Sequence, residues 1–135
     1  MKANELMLGD WVVYRGDAEY TNPVRIEGMD ILTNVLITED REDVGFDGIE
    51  PIPLTAEILE KNKMREFEHR NPGQGDNLIK KWWHKDGSYY VSLYRVGDEY
   101  TYTVGNSITR VCRIKYIHQL QHALRLCGIE KEIEL

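Results

Sequence analysis

His118 and His122 stand four residues apart within residues 114–128, IKYIHQLQHALRLCG, a stretch of helical period. That spacing points both rings the same way, as in the HExxH pair of a zincin, where two histidines hold Zn²⁺ and the glutamate serves as general base. Residue 119 here is Gln, which cannot take a proton from a metal-bound water. A third ligand is also missing: the residue six after His122 is Gly128, and only Glu130, Glu132 and Glu134 follow on a short tail. On a helical wheel both histidines, with Arg125 beside them, fall about 150° from the centre of the stripe formed by Tyr116, Ile117, Leu120, Ala123, Leu124 and Cys127. The pattern predicts histidines that face solvent or a partner, with no metal, no cofactor and no catalytic role.

A second group of chemistry-bearing residues is aromatic and basic. Trp82, Trp83, Tyr89, Tyr90, Tyr94, Tyr100, Tyr102 and Tyr116 alternate with Lys80, Lys81, His84, Lys85 and Arg95. Strand alternation sends some of these rings outward, and an exposed aromatic and basic sheet face stacks and neutralises single-stranded nucleic acid. Ordinary strands favour the same residues, and no RNP-like motif is present. The candidate binding residues are therefore Lys81, Trp83, Trp82 and Tyr102, with His118, His122 and Arg125 on the helix. No nucleophile elbow, phosphate loop, paired carboxylates or CxxC accompanies them.

The elements that must carry these residues are legible from period and turn chemistry. Residues 11–14, WVVY, read as a first strand, and Val24 and Ile26 share one face of a second. Ile31 and Leu32, then residues 34–38, add a further strand or hairpin partner, while the acidic run 39–43 is an exposed turn. Residues 44–49, with Gly45 and Gly48, suit a bend at a barrel corner. Residues 1–54 are thus expected to form a small SH3-like β-barrel subdomain, ended by Pro51 and Pro53.

A linking helix over 55–62 follows, with Thr55 as N-cap, Leu54 and Leu59 as a staple, and Asn62 as the left-handed end. Residues 65–76 read as a loop. Strands over about 78–85, 88–96, 99–104 and 108–114 form a four-stranded antiparallel meander, its first turn a type I′ Asp86-Gly87. Tyr100, Tyr102 and Val104 share one face there, Thr101 and Thr103 the other. A helix over 116–127, ended by Gly128, should cover the apolar face and complete an α+β subdomain over 55–135, and the two subdomains are expected to form one compact unit.

Bulk properties narrow the function classes. The chain has 135 residues, 41% hydrophobic and 30% charged, which fits a globular protein. Its net charge of −6 is uneven: residues 1–60 hold 14 Asp/Glu against 4 Lys/Arg, whereas residues 61–135 hold 9 against 13. The acidic half repels phosphate, and the basic half can still gather a local patch. No signal-peptide pattern or membrane span is read, so a cytoplasmic location and free Cys112 and Cys127 thiols are expected.

Three stretches, MKANELMLGDWV, IEPIPLTAEILEKN and IKYIHQLQHALRLCGIEKEI, resemble a family of uncharacterised small proteins of Bacteroidetes genomes, often encoded in prophages or other mobile elements. They cover a little over a third of the chain. Relatives commonly have Gly-Phe at Lys63-Met64 and HQLQN at residues 118–122, which makes the second histidine a variant of a helix motif. The resemblance implies a non-enzymatic binding or structural accessory protein, and no catalytic residues are carried over. A protein partner is the first expectation, with single-stranded nucleic-acid binding or metal binding through His118 and His122 as alternatives, and no membrane partner.

Overall fold

The computed structural model describes residues 5–67, 78–106 and 110–135. The fold is α+β, with two antiparallel five-stranded sheets and two short α-helices among the described residues. It divides into two compact units, Met1–Pro53 with Tyr116–His122, and Leu54–Lys115 with Ala123–Leu135.

In the first unit β1 is Trp11–Tyr14, β2 Val24–Asp30, β3 Val35–Thr38, β4 Val44–Gly45 and β5 Ile49–Pro51, with a 3₁₀ turn Phe46–Gly48 before β5. Their order is β4-β3-β2-β1-β5, and among the described residues the sheet is not closed into a barrel. Alternation along the strands buries Val12, Val24, Ile26, Leu36, Val44 and Ile49 as one cluster, joined by Leu6 ahead of β1, with Tyr14, Met29 and Phe46 against it. Ile31 and Leu32 are not a strand but the exposed tip between β2 and β3, where Asp30 Oδ1 accepts the Leu32 and Thr33 amides. The acidic turn after β3 is exposed, as its charge requires, and Tyr14 Oη bonds to Thr38 Oγ1 and Asp40 beside it.

In the second unit α1, Ala56–Lys61, begins at Thr55, whose hydroxyl accepts the Ile58 amide at 3.3 Å. The left-handed residue that ends it is Lys63, with φ 62°, rather than Asn62, with φ −92°. Asn62 has other work: its Nδ2 donates to the carbonyls of Ile58 and Glu134, both at 2.8 Å, and its Oδ1 accepts the Glu134 amide at 2.7 Å. One amide side chain thus ties the C-terminal tail to the helix end.

Turning at Lys63, the chain enters β6, Met64–Phe67, which lies in residues expected to begin a loop. With β7 Leu78–His84, β8 Tyr90–Val96, β9 Glu99–Gly105 and β10 Arg110–Ile114, it makes a five-stranded sheet of order β10-β9-β8-β7-β6 in place of the expected four. The Asp86-Gly87 hairpin is also longer than a two-residue type I′ turn. Only Gly87 has positive φ, because the Asp86 carboxylate captures the Ser88 amide, His84 Nδ1 and Lys131 Nζ and holds a wider loop. The Lys131 ammonium, with the Ser88 bonds, keeps the Asp86 carboxyl well below the usual carboxylate range. The next turn, Gly97-Asp98 between the paired Val96 and Glu99, is a two-residue turn with φ 63° at Gly97.

Met64, Trp82, Val91, Val104 and Ile114 fall on one face of this sheet and are buried, with Tyr102 half-buried beside them. The helix expected to cover the meander is α2, Ile117–Leu126, and its first six residues group with the first unit while Ala123 onward group with the second. Cys127 is a free thiol; the Cys112 side chain, Ile108 and Thr109 lie outside what is described. Among the described residues no helix is long and apolar enough to cross a membrane.

Candidate functional site

His118 does not face solvent, and His122 is half-buried. His118 is 4% exposed and Gln121 9%, and together with Ile117, Leu120, Ala123 and Leu124 they bury more than half of the circumference of α2. An arc centred on apolar residues alone misses this, because two of the buried positions are polar, and one of them, Gln121, is satisfied by backbone groups far away in sequence.

Each polar side chain of the HQLQH segment has a distinct structural task. Gln119, three residues after Tyr116, accepts the Tyr116 amide on Oε1 at 3.1 Å, the backward-reaching half of a capping box. Gln121 accepts the Trp11 amide on Oε1 at 3.1 Å and donates Nε2–H to the Gly9 carbonyl at 3.0 Å, pairing with backbone as another strand would. His122 Nε2 lies 2.9 and 2.8 Å from the two carboxylate oxygens of Asp10. Asp10 is fully buried and also accepts the Met7 amide at 2.7 Å. His118 stacks on Tyr116 at 5.8 Å and 13°, and meets the edge of His122 at 5.6 Å.

Burial pushes the His118 imidazole below its ordinary value and His122 adds to this, while the Asp10 and Glu5 charges oppose it. Its Nδ1 has no hydrogen-bond partner. Both features favour the neutral ring over the charged one. Among the described residues no three metal-ligating side chains converge. What the geometry builds is a latch: the Gly9-Asp10-Trp11 turn is gripped by Gln121 and His122, and the Ile117 amide donates to the Ile52 carbonyl at 2.9 Å next to the Pro53–Tyr116 bridge. Residues 9–11, 52–53 and 116–122 thus meet as framework. Asp10 went unnoticed in the sequence because Gly-Asp reads as an exposed turn.

The aromatic and basic residues separate by strand parity. Trp82, 1% exposed, and Tyr102, with ring centroids 6.3 Å apart, belong to the core face, so neither forms an exposed stacking surface. Lys81 and Trp83 lie on the opposite face with Tyr90 and Tyr94, all half-buried. Trp83 and Tyr90 are cross-strand partners with centroids 4.9 Å apart and planes at 52°. The Lys81 ammonium sits 4.3 Å from the Tyr90 centroid and 5.3 Å from that of Trp83, a cation held over two rings. Arg125 is exposed at the end of α2. Tyr90, which the sequence grouped with the other aromatics but did not single out, is found from the pairing of β7 with β8.

Compared with protein-family models, curated proteins and solved structures, the chain matches none.

Proposed function

We propose that the chain is a non-enzymatic binding protein, an accessory of the kind the sequence resemblance implies for a phage or mobile element, acting in the cytoplasm. We assign its contact surface to the outer face of the second sheet. The observation that carries this reading is the Lys81–Trp83–Tyr90 cluster: two rings at 4.9 Å with a cation over both, half-exposed on a face that supplies none of the buried apolar residues. The histidine helix supports the same reading, because its Gln121 and His122 are occupied in holding the turn before β1. The first unit is read as a small SH3-like barrel, supported by the strand order β4-β3-β2-β1-β5 and the 3₁₀ turn before β5.

The test is recovery of bound partners from native cells with the wild-type chain and with Trp83→Ala and Lys81→Ala. Loss of the partner from both variants at unchanged melting temperature is expected. Equal recovery by all three, or robust turnover of a substrate abolished by one substitution, contradicts the proposal.

A further inference from the structure

Resting on that assignment of the binding face, we infer that its occupant is single-stranded nucleic acid, bound through its phosphates and the faces of its bases without selection of sequence. The register aligns two rows across the outer face. The first runs Arg65, Trp83, Tyr90 and Gly105; the second runs Lys81, Ser92, Thr103 and Arg113. Gly105 has no side chain, so no side chain from β9 stands opposite the Tyr90 ring.

Three cations, Arg65, Lys81 and Arg113, belong to these rows, and among the described residues the acid that shares their parity is Glu99, next to the Gly97-Asp98 turn. In a chain of net charge −6 this is a local reversal of sign, and it complements a polyanion. Lysine is depleted from the centres of protein interfaces, whereas a lysine among aromatic rings is what a phosphate with an adjacent base requires. Ser92 and Thr103, 0% and 7% exposed, are cross-strand partners in the second row whose hydroxyls have no hydrogen-bond partner. They lie between Lys81 and Arg113 and are buried, so the groups of this row that reach solvent are the half-buried Lys81 and the exposed Arg113. Rings presented on a sheet reach base faces only where bases are unstacked, which selects single strands over duplex.

The experiment is fluorescence anisotropy of a labelled 20-nucleotide oligothymidine titrated with the full chain. Three phosphate contacts give a slope of about −2 in log affinity against log salt, so affinity falls about 20-fold between 50 and 200 mM salt. Trp83→Ala and Tyr90→Ala each weaken binding about tenfold, Trp83→Phe retains most of it, and Lys81→Gln lowers the slope by about 0.7. Arg15→Ala, which removes an exposed cation of the first unit, leaves affinity unchanged. Oligoadenine binds like oligothymidine, and duplex of the same length binds more weakly. Absence of binding at 50 mM salt, with partner recovery still dependent on Trp83, overturns the nucleic-acid inference and leaves the binding face standing. Binding indifferent to Trp83, Tyr90 and Lys81 overturns both.

Discussion

The fully buried carboxylate of Asp10 meets His122 Nε2 through both of its oxygens, at 2.9 and 2.8 Å, across 112 residues of sequence. A carboxylate removed from water is tolerated only where donors surround it, and here the Met7 amide and the imidazole provide them. The spacing that resembles a metal site is therefore used to seat a turn.

Gln121 carries the neighbouring part of that seat. Gln121→Ala leaves the Trp11 amide and the Gly9 carbonyl without their partner, and a loss of about 2 kcal/mol in denaturant unfolding is expected. Gln121→Glu keeps an acceptor for Trp11 but loses the donor to Gly9, so it should recover only part of the loss.

The α2 pattern shows how far the sequence could be read. Thr55 as a cap, Val24 and Ile26 on one face, and the two faces of β9 all follow from local rules, and local structure obeys them. Asp10, His118 and Gln121 do not, because their burial depends on segments about 110 residues apart in sequence, which no periodicity reports. β6 escaped for a related reason: Met64–Phe67 is a short edge strand whose charged residues mimic a loop, and pairing with β7 defines it. Trp82 and Trp83 were both candidates, and parity alone separates them once the register is known.

Acid should weaken the fold through His118. Burial, with His122 nearby, depresses its folded pKa below the ordinary value of 6.5, so the unfolded chain binds the proton first as pH falls. The stability contribution is complete above about pH 6.5 and is lost as pH drops from there toward the folded value. Melting temperatures at pH 7.5, 6.5, 5.5 and 5.0 should show this decline, and His118→Phe, which keeps a ring against Tyr116, should flatten it.

Lys63 is held at φ 62°, a conformation that costs a side-chain-bearing residue about 1 kcal/mol or more. Lys63→Gly should stabilise the protein by up to about 1 kcal/mol after the added freedom of the unfolded chain is counted. Lys63→Val should lower the melting temperature, since a β-branched residue fits that region worst.

The most direct measurement of the latch is a double-mutant cycle on Asp10 and His122 in urea unfolding. Asp10→Ala alone should cost about 3 kcal/mol, because it strands both the Met7 amide and the imidazole. Asp10→Ala with His122→Ala should then fall short of the sum of the single losses by about 1–3 kcal/mol. Losses that add to within about 0.5 kcal/mol would contradict the claim that this histidine serves the framework.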